Sequence, residues 1–330
     1  MDSQGGMAAV MKTMILKPPN NWEAGFITTH SDASLWEKIR KWRSARIELR
    51  RIIEENGIDV AHIHVTHSMS WWRKVSLMRI CRRNSIPILV HIHSGRFQEF
   101  CSGYFGIPGA SVRKALRQDR CETVVLEERW LDSLNKWIPQ NCSIINNYAD
   151  EKKRRIKQPP KSKLKILMIA RNSKGKGHLF AVDILRYLIS KGADVEMTMT
   201  GENISNIGKE LKNLNTIDWV SDEEKDILIS ESDFLILPSE FEGSSMSVIE
   251  SMINGLPCLV SSASAETVGI QELILPLDKP EEWGERILFL SKEREYLRIY
   301  EEIKKQSERF NPEVNRKKWE KLYNKLTKNE

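Results

Sequence analysis

Residues 164–188 read LKILMIARNSKGKGHLFAVDILRYL, and this stretch decides the fold class. Leu164–Ile169 is an apolar run of strand length, and Leu179, Val182, Leu185 and Leu188 recur at helical spacing. Between them lies a glycine-rich turn carrying Arg171, Lys174 and Lys176. Working outward, residues 195–199, Phe234–Leu237 and Cys258–Val260 read as further strands. Residues 226–232 and 247–254 read as helices, the second closed by Gly255. This alternation with short connections calls for a parallel sheet covered by helices on both faces.

Residues 1–150 repeat the rhythm less cleanly. A helical stretch over 33–56 ends at Gly57, and 72–84 is a second helix. Strands are expected at 60–65 and 88–93, with weaker ones at 123–126 and 143–145. The hydrophilic run 151–163, with Pro159-Pro160, reads as a linker. The expected organisation is a Rossmann-like domain over 1–150, that linker, a second domain over 164–310 and a basic amphipathic helix over 311–330 that packs back toward the first domain. Two open α/β sheets would place a cleft at the carboxyl ends of their strands, where such sheets bind ligands.

Composition narrows the function. The chain has 330 residues with 40% hydrophobic and 29% charged, an ordinary globular balance that excludes disordered and fibrous classes. No apolar run approaches the ~20 residues of a membrane span, and no signal-peptide core opens the chain. Five scattered cysteines without a C-x-x-C pair argue against a disulfide scaffold or structural zinc and fit a reducing, cytoplasmic compartment. Residues 1–150 carry 21 Lys+Arg against 15 Asp+Glu, whereas 151–330 carry 30 of each. All the positive excess is therefore in the first half, which points to an anionic partner there.

Two loops carry the candidate chemistry. In the turn before Leu179, backbone N–H groups, a helix N-terminus, Arg171 and Lys176 suit a diphosphate. The turn is neither a P-loop nor G-x-G-x-x-G, and a merely solvated turn is the plain alternative. The second loop, Pro238-Ser-Glu-Phe-Glu-Gly-Ser-Ser-Met246, leads into a helix. Glu242 and Glu250 would lie about 12 Å apart along it, too far for the carboxylate pair of a glycosidase, which spans roughly 5–9.5 Å. That spacing suits two contacts on one long ligand, with the N–H groups of Gly243, Ser244, Ser245 and Met246 facing phosphates between them. A helix-terminal charge and a surface carboxylate are the bland reading of the two glutamates.

Taken together these motifs resemble retaining glycosyltransferases of family 4, which show an Arg-x4-Lys-Gly loop followed by an E-x7-E motif and have the GT-B fold: two Rossmann-like domains with parallel sheets facing a central cleft. Arg171 to Lys176, Glu242 to Glu250 and the exit Asn254-Gly-Leu-Pro257 match that pattern. Gly5-Gly6 is similar to the family's N-terminal glycine loop, 59–64 to its second strand and His91-Ile-His93-Ser-Gly95 to the strand bearing its active-site histidine. The Ser-Trp-Trp-Arg-Lys run at 70–74 and the segment 255–261 are most like capsular and exopolysaccharide members. The resemblance implies that Arg171 and Lys176 hold the donor diphosphate, Glu242 the donor sugar and Glu250 the ribose. His93 would lie beside the sugar, and Gly5 and Gly6 would admit the diphosphate and acceptor. It implies a UDP- or GDP-sugar donor, no required cofactor, no metal, and a glycan or lipid-diphosphate-linked acceptor at the inner membrane face.

The chain departs from the family in four places. No strand fits before Gly5, so either the start is truncated or the N-terminal sheet lacks its first strand. Ala170 stands for a glycine, Ser244-Ser245 for Phe-Gly, and no Gly-Gly follows Val260. Five histidines between 62 and 93 invite a metal reading, but no carboxylate or cysteine completes a site. Tryptophan and cations mingle at 36–46 and 71–83, a pattern suited to an anionic lipid surface, to a solvated basic face with tryptophans packed inward, or to nucleic acid. The expected function is sugar transfer onto a polysaccharide or lipid-linked oligosaccharide. The rivals are an impaired, membrane-associated scaffold, a nucleotide-sugar 2-epimerase and, more distantly, a nucleic-acid binder.

Overall fold

The computed structural model describes residues 6–29, 34–55, 57–140, 142–150 and 157–328. The chain divides into two compact units, 1–147 with 313–330 and 148–312.

The first unit opens with α1 (Gly6–Leu16) and α2 (Leu35–Glu54). Ser34 and Glu37 form a reciprocal capping box that fixes where α2 begins: Ser34 N–H donates to Glu37 Oε2 at 3.1 Å and Glu37 N–H to Ser34 Oγ at 3.4 Å. There follow β1 (Ala61–Val65), α3 (Met69–Arg83), β2 (Ile88–Ile92), α4 (Phe97–Ser102), α5 (Ile107–Leu116), β3 (Cys121–Val125), α6 (Arg129–Leu134) and β4 (Ser143–Ile144). The four strands pair in chain order and all run parallel. Among the described residues no strand precedes β1, which is an edge strand. β1, β2 and β3 bury apolar side chains, and β2 is buried throughout, as a central parallel strand requires. Val65, Trp71, Met78, Phe97 and Leu116 lie at the core with almost no exposure.

The second unit contains β5 (Leu164–Ile169), α7 (His178–Ser190), β6 (Val195–Thr200), β7 (Leu214–Ile217), α8 (Asp222–Glu231), β8 (Phe234–Leu237), α9 (Met246–Ile253), β9 (Cys258–Val260), α10 (Ala265–Val268), α11 (Pro280–Leu290) and α12 (Glu293–Ser307). The strand order is β7-β6-β5-β8-β9, all parallel. The chain thus winds outward one way from β5, then returns to β8 on the other side of it. A sheet that reverses in this way opens a crevice at the carboxyl ends of the two strands flanking the reversal, here β5 and β8. A second capping box, Ser221 with Glu224, starts α8 earlier than its apolar pattern suggests.

The segment expected to be a linker is partly structural. Lys157 is buried, and its ammonium donates to the carbonyls of Ile229, Ser230 and Ser232 at 2.6, 2.9 and 2.7 Å. These carbonyls close the end of α8, so the charge is satisfied by orphan helix acceptors. The last helix, α13 (Pro312–Thr327), belongs from Glu313 onward to the first unit. Its Trp319, Leu322, Tyr323 and Leu326 are buried.

Candidate active site

In the second unit, the two loops singled out by the sequence leave adjacent strands at the reversal point. Gly175 and Gly177 have φ of +86° and +81°, so the β5–α7 loop needs glycine at both. A Cβ on Gly177 would lie 2.1 Å from the Pro238 carbonyl oxygen. The loops after β5 and β8 are therefore in direct backbone contact, and the Glu240 N–H donates to Gly175 O at 2.7 Å. This contact aligns Lys176 Nζ with Glu242 Oε1 at 2.7 Å, in an ion pair whose side chains are 25% and 11% exposed. Arg171, on the same loop, is exposed and makes no ion pair among the described residues. Lys174 is likewise exposed without an ion pair among the described residues, so the loop presents one anchored cation and two open ones.

The β8–α9 loop continues through Gly243, half-buried, to Ser244, Ser245 and Met246, all buried. Ser245 Oγ meets Ser247 Oγ at 3.1 Å and caps no backbone N–H of α9, so the first turn keeps backbone donors for another acceptor. Ser261 Oγ donates to the Ser239 carbonyl and ties the ends of β8 and β9 together. Ser239 Oγ is itself buried without a hydrogen-bond partner among the described residues.

Glu250 lies inside α9 and is not an isolated contact. Lys225 of α8 meets its carboxylate at 2.9 Å and also reaches Asp222 at 3.3 Å. Burial pushes the Glu250 carboxyl above its ordinary value despite Lys225. Burial opposes the charge on Lys225, yet Glu250 and Asp222 outweigh it and hold the ammonium's pKa up. Sequence reading missed Lys225 because a lone lysine on a polar helix carries no signal.

In the first unit, Gly5 lies outside the described residues, and Gly6 opens α1, exposed. His93 follows β2, its N–H bonded to Val65 O at 2.9 Å. The register sets His64 opposite His91, so His62, His64, His91 and His93 share one sheet face. His62 Nε2 lies 3.3 Å from His91 Nδ1, His64 Nδ1 2.8 Å from His93 Nε2, and His62 Nδ1 2.7 Å from the Tyr323 hydroxyl. Burial drives the imidazoles of His62 and His93 down to about 3, and those of His64 and His91 also fall well below 6.5. Ring nitrogens of His62, His64 and His91 fall within 4.8 Å of one another, close enough to share a cation. The described contacts are imidazole to imidazole or to a hydroxyl, however, with no carboxylate orienting a ligand. A cavity of about 890 Å³ borders residues 57–64, between Met14, Trp22, Leu49 and Lys74. The Lys74 ammonium falls to about 8 through burial and the nearby Arg73. Of the tryptophans on the mixed basic stretches, Trp71 is core, Trp42 is half-buried with its N–H on Ser76 Oγ at 2.9 Å, and Trp36 is 79% exposed.

Residues 163–293 match the family model described as Glycosyl transferases group 1. Sucrose-phosphate synthase from Thermosynechococcus elongatus has a similar structure, with a TM-score of 0.70 over 92% of this chain and 82% of that protein at 16% identity. A TarM variant from S. aureus, crystallised with fondaparinux, alpha-GlcNAc-glycerol and UDP, matches with a TM-score of 0.58 over 72% of this chain and 51% of that protein at 18% identity. An uncharacterized 41.2 kDa protein in the cps region of Klebsiella pneumoniae is 22% identical over 124 residues, 36% of this chain. The match spans about a third of that relative's length, 34%. The chain has the α/β fold of GT-B glycosyltransferases, and the stretch that the family model matches lies within its second unit. No helix among the described residues is long and apolar enough to cross a membrane.

Proposed function

We propose that this chain is a retaining, family 4-like glycosyltransferase that moves a sugar from a nucleotide-sugar donor to a polysaccharide or lipid-diphosphate-linked oligosaccharide. The observation that carries the reading is the pair of loops at the β5/β8 reversal, clasped by Lys176 and Glu242 beside the open Arg171. In the reaction the bond from the anomeric carbon to the diphosphate oxygen breaks, the acceptor hydroxyl oxygen bonds to the same face of that carbon, and the hydroxyl proton passes to the leaving diphosphate. The leaving diphosphate gathers negative charge. Arg171, Lys176 and the first turn of α9 supply fixed positive charge for it, so the reading requires no metal. Glu242, held by Lys176, would face the positively charged sugar, and Glu250 the ribose.

The bound UDP of the TarM complex supports a nucleotide donor, and the cps-region relative supports capsule-type polysaccharide synthesis. The positive excess in residues 1–150 supports a cytoplasmic enzyme working peripherally at an anionic membrane surface, where lipid-linked acceptors reside. The test is calorimetry and thermal shift of the full chain with UDP-, GDP- and ADP-sugars without added metal. A donor at about 100 Kd should stabilise the fold by about 2.7 kcal/mol, and Arg171→Ala should abolish that shift. No shift with any nucleotide sugar would overturn the reading. Release of free nucleotide and an altered sugar without acceptor would replace transfer by epimerisation.

A further inference from the structure

The connection between α4 and α5 holds a feature with no signal in the sequence patterns. Tyr104–Gly106 form one 3-10 turn, and three successive residues there have positive φ: Tyr104 at 46°, Phe105 at 53° and Gly106 at 77°. Only the last is glycine. For residues with a Cβ the left-handed region is disfavoured, and two in succession persist only where the surrounding structure imposes them. Burial of the side chains does not compensate here. Tyr104 is 82% exposed, Phe105 105% and Ile107 61%.

The base beneath this turn is fixed. Pro108 and Gly109 are buried at the start of α5, and a Cβ on Gly109 would lie 2.3 Å from Trp137 Nε1 and 2.6 Å from Cys101 O. The apolar surface continues sideways through the half-buried Phe100, which meets Trp72 edge-on with centroids 6.5 Å apart. Trp72 is 38% exposed, and Met69, one helical turn before it, is 64% exposed. The surroundings are cationic. Residues 69–117 contain nine Lys and Arg and a single carboxylate, Glu99, which Arg96 holds at 3.0 Å.

An exposed aromatic and aliphatic tip, followed along α5 by the exposed cations Arg113 and Lys114, matches the layered chemistry of an anionic bilayer, with acyl boundary beneath and phosphates above. It does not match single-stranded nucleic acid, which needs a groove that follows the backbone. We propose that Tyr104, Phe105 and Ile107 insert into the headgroup region of an anionic lipid bilayer while the cations of α3 and α5 meet its phosphates. The proposal rests on the membrane-surface part of the reading above and is independent of the donor chemistry.

The test is co-sedimentation of the full chain with vesicles of phosphatidylcholine alone or with phosphatidylglycerol added. The unaltered chain should partition onto the anionic vesicles, and less so as salt rises. The triple variant Tyr104→Ser, Phe105→Ser, Ile107→Ser should partition at least tenfold more weakly, with unchanged circular dichroism and unchanged donor calorimetry. Phe105→Trp should retain the partitioning. If the triple variant binds as well as the parent, the tip assignment is wrong while the membrane reading stands. If the parent does not bind anionic vesicles, both fall, and the calorimetric test of donor binding is unaffected.

Discussion

Acidification should loosen the first unit selectively. His62 and His93 titrate at about 3 when folded, against 6.5 for a free imidazole. Their folded pKa values are depressed, so their neutral forms favour the folded chain fully above 6.5, and that support is lost as the pH falls from 6.5 toward 3. At about pH 5 the unfolded chain binds a proton at each position and the folded chain does not, which costs about 2 kcal/mol per histidine. The pair costs about 4 kcal/mol, with His64 and His91 acting in the same direction, against a domain stability of about 5–15 kcal/mol. Hydrogen exchange resolves the effect by segment. Between about pH 7.5 and about pH 5, after correction for intrinsic exchange, peptides covering β1 and β2 should lose about three decades of protection. Peptides covering β6 serve as the reference, because His178 is the second unit's one histidine. The double variant His62→Gln, His93→Gln should flatten the pH dependence. Protection of β1 and β2 that holds to pH 5, or an unchanged slope in the double variant, would refute the reasoning.

Three further outcomes follow from single side chains. Glu242→Ala and Arg171→Ala should each lower sugar transfer at least about a hundredfold with little change in melting temperature; a large melting shift with little loss of rate would remove both from the site. Lys157→Met strips three carbonyls of a charged donor and should cost about 2–4 kcal/mol in urea denaturation; a loss below about 1 kcal/mol would show that water takes over the three acceptors. Gly177→Ala meets both a φ of +81° and the Pro238 carbonyl, so the second unit should lose at least about 2 kcal/mol; unchanged stability would mean the two loops separate freely.

The strands and the two site loops were legible because apolar runs there end at glycine or proline: Leu164–Ile169 before the Gly175 turn, and Phe234–Leu237 before Pro238. The ends of α2 and α8 were less legible from apolar spacing, though Ser34 with Glu37 and Ser221 with Glu224 mark them as capping boxes. α12 went unread although Tyr296, Ile299, Tyr300 and Ile303 form a buried stripe at helical spacing. Other features have no local signature. Lys157 sits in a run whose charge suggests a solvated linker, yet three carbonyls distant in sequence bury it. Lys225 acquires meaning only when the fold sets α8 against α9. The alignment of four histidines depends on a strand register that no single segment specifies.

The Lys157 clamp has a mechanical consequence. It fastens the chain just ahead of β5 to the end of α8, and the first turn of that helix carries Lys225, which grips Glu250. A helix transmits force along its axis with little give, because packed interiors are nearly incompressible. The chain entering β5 and the Glu250 carboxylate are thus joined through one helix by an ammonium at each of its ends.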